Sequence, residues 1–411
     1  MIRVGTDIVE ISRFSGMKNR ENFKNRFFTK REIEYFDMLS NPWQSIAGAF
    51  AAKEAFSKYL GSGFRKFELR DIEILHNELG KPYIEFFGVR VNADLSISHS
   101  KEYAVATVCG EDAISKYDIK YDIKEYYEYA KLLPKRHSNM HKGDCGRALI
   151  VAGSVGFVGA ACLCSKACIR SGSGLVTLAT PQCVQPYASV KLTEVMTYPL
   201  KCENGVVSRD AIPQIIDKLK NSDVCAIGPG LGRSKDLELV IKEILKYDVP
   251  CVIDADGLNV ISSDVDMLKN KNCEVILTPH PGEMSRLTSL SIAEIEENRE
   301  SIASEFAEKY GVTLLLKGHN TVIASPDGRV KINTTGNSGM ASGGMGDVLT
   351  GVVASLVGQG VSCFDAAVLG AYLHGKAGDI AANEVGEFGL IASDVVDKLP
   401  YAIKSLQGHI I

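Results

Sequence analysis

Residues 337–351 read Asn-Ser-Gly-Met-Ala-Ser-Gly-Gly-Met-Gly-Asp-Val-Leu-Thr-Gly, NSGMASGGMGDVLTG. Gly339, Gly343, Gly344 and Gly346 surround small residues and end at one carboxylate, Asp347. An apolar helical run follows through Val348, Leu349, Val352, Val353 and Leu356. A glycine-rich turn that opens a helix presents unpaired N–H groups and the positive end of the helix dipole. That is an anion site suited to a phosphoryl group in transfer. An acid there repels phosphate unless it has a task, and the natural one is to accept a proton from a hydroxyl attacking phosphorus. The plain alternative is that Asp347 only complements the helix end, worth ~0.3–1 kcal/mol. Other ligand-type turns upstream favour the catalytic reading.

Those turns follow buried runs. Ala148–Ala152 leads into Gly153-Ser154-Val155-Gly156 and the helix Gly159–Arg170. Val224–Ile227 ends in Gly228-Pro229-Gly230-Leu231-Gly232, Cys251–Ile253 in Asp254-Ala255-Asp256-Gly257, and Val275–Leu277 in Thr278-Pro279-His280-Pro281-Gly282-Glu283. Val312–Leu316 runs into Lys317-Gly318-His319. Leu175–Ala179 is another strand. Apolar strands with polar, glycine-rich C-terminal ends predict an α/β domain on a mainly parallel sheet, with ligands at its carboxyl edge. Neither GSVGFVG nor GPGLG fits the dinucleotide pattern, and no Walker A sequence is present. His137 and His141 have a metal-like spacing, but Pro134, Ser138 and Asn139 argue against a helix there.

The chain's 411 residues exceed one ordinary core, so two domains are expected. Hydrophobic content of 45%, charge of 23% and a net charge of −4 offer no case for nucleic acid or a membrane surface. No apolar run is long enough to span a bilayer, and the start, MIRVGTDIVEIS, has no signal pattern. Eleven scattered cysteines, with Cys162, Cys164 and Cys168 in an Ala/Ser-rich helical run, read as small hydrophobes in a reduced cytoplasm rather than a metal cluster.

The first stretch is an α+β unit. Arg3–Val9 reads as a strand, Thr29 and Glu32 as a capping box, and Gln44–Leu60 as a long helix ended by Gly61-Ser62-Gly63. Strands are expected at Phe67–Ile74, Tyr83–Phe87, Leu95–Ser98 and Tyr103–Cys109. Asp7 lies in an apolar strand pattern and Glu54 on the long helix. Each either pairs with a base such as Lys53 or Lys58, or the two share a Mg²⁺ with water and substrate phosphates. Glu111–Tyr129, with KYDI twice, reads as a solvated, partly helical linker. The expected domains are 1–115 and 126–411, with 116–125 between them.

VGTDIVEISRF, FAAKEAFSKYLG and LSISHSKEYAVATV resemble the signature segments of holo-(acyl-carrier-protein) synthase, the bacterial phosphopantetheinyl transferase. The resemblance implies that Asp7 and Glu54 hold Mg²⁺ on the pyrophosphate of coenzyme A. It implies a catalytic role for Glu54 and Lys53, with Lys58 and His99 near the coenzyme A. The implied reaction moves 4′-phosphopantetheine to a serine of apo-acyl carrier protein, in a trimeric assembly or a larger homo-oligomer.

HKGDCGRALIVAGS, GFVGAA, SGSGLVTLAT, AIGPGLG, VIDADGLN, LTPHPGEMSRL, LLLKGHNTVI, NSGMASGGMGDVLTG and AYLHG resemble the NAD(P)H-hydrate dehydratases of the ribokinase-like superfamily. That implies a three-layer α/β fold. It also implies phosphorylation of the 6-hydroxyl of S-NAD(P)H hydrate with ADP or ATP, after which phosphate leaves and NAD(P)H is restored. By this resemblance Asp347 is the base and Gly344, Met345 and Gly346 form the anion hole. Lys317, Gly318, His319, Asn320, Thr321 and Gly346 bind nucleotide, and Ala161, Gly232, His280 and Asp347 line the hydrate pocket. Residue by residue, His280 is also readable as a rigid Pro-flanked turn and Lys317 as a surface charge. Two rivals stand beside this reading: a small-alcohol or vitamin-precursor kinase in the second half, or one half that is a non-catalytic binding module.

Overall fold

The computed structural model describes residues 2–17, 20–61, 67–111 and 123–407. Its contacts divide the chain into two compact units, Met1–Leu133 with Lys404–Ile411, and Pro134–Ile403.

In the first unit, strand β1 (Ile2–Glu10) alternates cleanly, with Gly5 and Val9 buried and Ile2, Val4, Thr6 and Ile8 exposed. It is the edge of an antiparallel sheet ordered β1-β6-β5, where β5 is Asp94–His99 and β6 is Tyr103–Glu111. Helix Trp43–Leu60 packs its small face, including Ala51, Ala52 and Ala55, on the inner side. Gly5 is required by that contact, since a Cβ there would lie 2.0 Å from the Ala55 carbonyl oxygen. Gly61 ends the helix at φ 73°, in the left-handed conformation glycine favours, whereas residues 62 and 63 lie outside the described set.

The capping box forms as expected: the Glu32 N–H donates to the Thr29 hydroxyl, and the Thr29 N–H to Glu32 Oε2 at 2.9 Å. A second small sheet joins β2 (Ile72–His76), β3 (Pro82–Phe86) and β4 (Val89–Arg90) in that order. The strand expected from Phe67 starts only at Ile72. Asp71 accepts from the Glu68 N–H at 2.8 Å and closes a 3₁₀ turn over Leu69–Asp71 first.

Residues 116–122 of the expected linker lie outside the described set. The chain from residue 123 is not a solvated linker: helix Ile123–Leu132 buries Tyr126, Tyr127 and Tyr129. Tyr127 meets Phe86 edge-on at 4.9 Å, an aromatic contact that assigns this helix to the first unit. By contacts the chain divides at Leu133/Pro134 and again at Ile403/Lys404.

The second unit is built on a nine-stranded sheet ordered β17-β16-β15-β14-β13-β12-β7-β8-β9. Its parallel members are β7 (Arg147–Val151), β8 (Leu175–Pro181), β9 (Met196–Leu200), β12 (Val224–Ile227), β13 (Cys251–Ile253), β14 (Val275–Leu277) and β15 (Thr313–Leu316). Strands β16 (Thr321–Ala324) and β17 (Val330–Asn333) add on antiparallel. A small hairpin, β10 (Cys202–Glu203) with β11 (Val206–Val207), follows β9. The central strands are entirely buried, as a sheet covered on both faces requires. From β7 the chain winds outward to β8 and β9, then returns to β12 beside β7 and winds the other way. The crevice between the carboxyl ends of β7 and β12 is the switch point where such sheets take ligands.

Candidate functional site

The carboxyl ends of the central strands converge on the start of helix Met345–Gly358. Gly344 caps that helix at φ 92°, a left-handed value that explains the glycine. The helix packs closely on helix Val158–Arg170, where a Cβ on Gly351 would lie 2.1 Å from the Cys164 carbonyl oxygen. Asp347 stands in the first turn. Burial first, and then the charge of Asp254, push its carboxyl up to about 7, against the opposing pull of Lys317. A carboxyl poised there is suited to take a proton near neutral pH.

Lys317, at the end of β15, donates to Asp254 Oδ1 at 2.6 Å and lies 3.7 Å from Glu283. Asp254 follows directly on β13 and is buried; its other oxygen accepts from Thr350 Oγ1 at 2.7 Å. Burial alone would raise the Asp254 carboxyl, but the Lys317 charge and the bonds from Lys317, Thr350 and Thr278 outweigh it and hold the acid below its usual range. Burial likewise works against the Lys317 charge, and Asp254 and Glu283 overcome it, so its ammonium is held above its usual value. Lys317 is thus not a surface charge. Its Nζ lies 3.2 Å from where a Cβ on Gly346 would stand, so that glycine gives the ammonium access to the helix end. Sequence reading used Asp254 only as part of a turn and missed Thr350. The available signal was an acid in the last buried position of the VIDAD run.

Lys317, Gly318, His319, Asn320, Thr321 and Gly346 line one cavity of about 630 Å³, together with Met345 and His374. The chain in the turn is unusual at two points: Gly318 has φ 145° and Asn320 φ 54°. His374, not singled out from the sequence, is pushed down to about 4 by burial and by the Lys317 charge, so it is neutral at pH 7.

At the switch point the turns after β7 and β12 are tied together. The Gly153 N–H donates to the Pro229 carbonyl at 2.9 Å, and Ser154 Oγ to the Gly230 carbonyl at 2.8 Å. Ala161 is buried below, 3.1 Å from the position of a Cβ on Gly153. The Gly232 N–H donates to Asp256 Oδ2 at 2.8 Å, and Asn259 accepts from Arg286 at 2.9 Å. His280 is a half-exposed helix cap: Nδ1 accepts from the Gly282 N–H at 3.0 Å, while Glu283 accepts from the His280 N–H at 2.8 Å. Its structural role is real, and its outer edge stays accessible.

In the first unit Asp7 and Glu54 are neighbours. Burial, and then the Asp7 charge, raise the Glu54 carboxyl, with Lys58 and Arg13 opposing. Lys58 donates to Asp7 Oδ1 at 2.8 Å and to the Thr6 carbonyl at 3.0 Å. His99 ends β5 and is exposed. Lys53 corrects the expectation. It is fully buried and donates to Glu32 Oε2 at 2.7 Å and to the carbonyls of Phe27, Leu69 and Ile72 at 3.0, 3.0 and 2.6 Å. With its donors so engaged, Lys53 holds the unit together rather than touching phosphate.

Among the described residues no group of three or more His, Cys, Asp or Glu side chains is arranged to hold a metal ion. Two adjacent carboxylates with incomplete compensation nonetheless match Mg²⁺, which takes few protein oxygens and keeps waters and phosphates. No helix among the described residues is long and apolar enough to cross a membrane.

Residues 148–401 match the family model of the NAD(P)H-hydrate dehydratases, and residues 3–109 that of the 4′-phosphopantetheinyl transferase superfamily. The bifunctional NAD(P)H-hydrate repair enzyme Nnr of Moorella thermoacetica is 47% identical over 280 residues, covering 68% of this chain and 53% of that protein. The ADP-dependent (S)-NAD(P)H-hydrate dehydratase of Neisseria meningitidis serogroup B is 36% identical over 264 residues, 63% of this chain and 86% of that one. Among solved structures, the ADP/ATP-dependent NAD(P)H-hydrate dehydratase of Bacillus subtilis, co-crystallised with ATP and Mg²⁺, superposes with a TM-score of 0.61 at 31% identity. It covers 68% of this chain and 97% of that one. The chain spans about half the length of the bifunctional relatives it matches.

Proposed function

This chain belongs to the NAD(P)H-hydrate dehydratase family, and we propose that it joins two activities. Its second unit dehydrates the S-epimer of NAD(P)H hydrate at the expense of ADP or ATP. Its first unit transfers 4′-phosphopantetheine from coenzyme A to a serine of apo-acyl carrier protein.

The observation that carries the first proposal is Asp347, held near pH 7 in the first turn of a glycine-capped helix. Asp347 takes the proton from the hydrate's ring hydroxyl as that oxygen attacks the terminal phosphorus of the nucleotide. The N–H groups of Gly344, Met345 and Gly346 hold the phosphoryl group as negative charge moves across it. Lys317, kept charged by Asp254 and Glu283, faces the same helix end and steadies the nucleotide phosphates in the cavity it lines. The hydrate lies at the switch point between Ala161, Gly232 and the rim residue His280. Phosphate then departs from the ring as the adjacent ring carbon gives up a proton, the double bond forms between the two carbons and the dihydronicotinamide is restored.

For the transfer, Asp7 and Glu54 are the residues that would hold Mg²⁺; when bound, the ion neutralises charge on the pyrophosphate of coenzyme A. Lys58, beside Asp7, and exposed His99 are proposed to face the coenzyme A. The first unit is further proposed to self-associate as a trimer through the open face of its β1-β6-β5 sheet. Ile2, Val4 and Ile8 there are 73, 59 and 60% exposed, an apolar stripe of the kind that marks an interface. We place the protein in the cytoplasm, in keeping with its free thiols.

The deciding experiment is product analysis. S-NADH hydrate and a panel of small alcohols are each incubated with ADP and with ATP. Release of NADH and phosphate supports the dehydratase; a stable phosphorylated alcohol with no NADH supports the kinase reading instead.

A further inference from the structure

We propose that Cys183 and Cys202 are a reversible thiol–disulfide site that clamps a hairpin at the rim of the switch-point crevice. Cys183 lies in the turn after β8 and is exposed; Cys202 opens β10 and is partly exposed; both thiols are free. Their sulfurs are 3.6 Å apart. The backbones that carry them are held side by side without any help from the cysteines. The Gln182 N–H donates to the Leu200 carbonyl at 2.9 Å, extending the β8–β9 pairing one step beyond Pro181 and Leu200. A disulfide needs the two sulfurs to close from 3.6 Å to about 2.05 Å, next to main-chain segments that this hydrogen bond already holds together.

The position gives the bond a consequence. Cys202 is paired with Val207 across a hairpin turned by Asn204 and Gly205, with φ values of 50° and 79°. That is the left-handed pair a tight two-residue turn demands. The far side of this hairpin bears on the pocket turns. The Val155 N–H donates to the Gly205 carbonyl at 3.1 Å. A Val206 methyl lies 3.2 Å from where a Cβ on Gly232 would stand. A covalent link at Cys202 thus fixes the base of an element whose tip touches the turn after β7 and whose second strand touches the turn after β12.

The chemistry balances with a peroxide as oxidant. One thiolate attacks a peroxide oxygen and becomes a sulfenic acid, and the released hydroxide takes up a proton to give water. The second thiolate then attacks the sulfenic sulfur, the S–S bond forms, and the second water leaves. In sum, two thiols and hydrogen peroxide give one disulfide and two waters; a dithiol reverses it by exchange. Partial burial and the neighbouring sulfur hold the Cys183 thiol above its usual range, so the reaction quickens as pH rises. Cysteines that pair transiently are the form disulfides take in reducing compartments.

The test uses the full chain, reduced and then treated with hydrogen peroxide. The expected result is an intact mass lower by two hydrogens and a proteolytic peptide joining Cys183 to Cys202. Amide exchange over Cys202–Val207 should slow, and all of these changes should reverse with dithiothreitol. In Cys183→Ser and Cys202→Ser the joined peptide and the slowed exchange should both be lost. Absence of that peptide at peroxide levels that convert a free cysteine standard to cystine overturns the site, and a joined peptide with unchanged hairpin exchange overturns the clamp. The link to catalysis rests on the dehydratase reading. Oxidation should raise the KM for S-NADH hydrate severalfold and leave carrier-protein modification unchanged. If the reduced protein never turns over hydrate, the functional reading fails while the disulfide is still decided by mass and exchange.

Discussion

Lys53→Met separates a structural lysine from a catalytic one. The side chain is completely buried, and its ammonium serves Glu32 at 2.7 Å and three carbonyls between 2.6 and 3.0 Å. Burial disfavours both charges, pushing Lys53 down and Glu32 up, and each is tolerated because of the other. Methionine fills similar space but leaves the Glu32 carboxylate stranded, and removing one partner of a buried pair costs about 3–5 kcal/mol. Three carbonyls also lose a donor, which places the expected loss at the upper end of that range. The chain's single tryptophan, Trp43, lies in this unit, so urea unfolding followed by its fluorescence reads the change directly. Glu32→Gln added to Lys53→Met removes the stranded charge and should recover part of the loss, a non-additivity of about 1–3 kcal/mol. A Lys53→Met protein that unfolds within about 1 kcal/mol of the parent, well short of the buried-pair range, yet cannot modify carrier protein would refute the structural reading.

Asp347→Asn should lower hydrate dehydration by about 10²–10⁴-fold, the usual worth of a general base, and leave carrier-protein modification intact. In the parent, kcat/KM for the hydrate should climb as pH rises through about 7, because Asp347 acts only once its raised carboxyl has ionised; a flat profile from pH 5 to 9 would contradict this. Gly346→Ala brings a methyl to 3.2 Å from Lys317 Nζ and 3.6 Å from Asp254, so the KM for nucleotide should rise with the fold kept; unaltered nucleotide kinetics would count against the site. Glu54→Ala at limiting Mg²⁺ should reduce phosphopantetheine transfer on the order of 100-fold, about 3 kcal/mol of lost charge neutralisation, while hydrate dehydration is spared.

Periodic and local features were legible in the sequence. The parallel strands were, because each is a short apolar run closed by glycine or a polar turn, and Val224–Ile227, Cys251–Ile253 and Val275–Leu277 fall where those runs predict. The Thr29–Glu32 capping box was legible for the same reason: its partners are three residues apart. Features set by distant pairing were hidden. Lys53 beside Glu54 looked like one site, yet its partner Glu32 is 21 residues away. Asp254 gains its meaning from Lys317 and Thr350, 63 and 96 residues on. The antiparallel β16–β17 edge and the Cys202–Val207 hairpin are too short to announce themselves beside the long buried runs. Tyr126, Tyr127 and Tyr129 sat in a charged stretch that reads as solvated, and only their burial, with Tyr127 against Phe86 and Tyr126 against Tyr127, shows otherwise.

The most direct measurement supplies the purified chain with S-NADH hydrate, Mg²⁺ and either ADP or ATP, and follows the return of dihydronicotinamide absorbance. Return that depends on a nucleotide, is lost in Asp347→Asn and is kept in Glu54→Ala is the predicted result. No return from protein that still modifies apo-acyl carrier protein would contradict the dehydratase assignment.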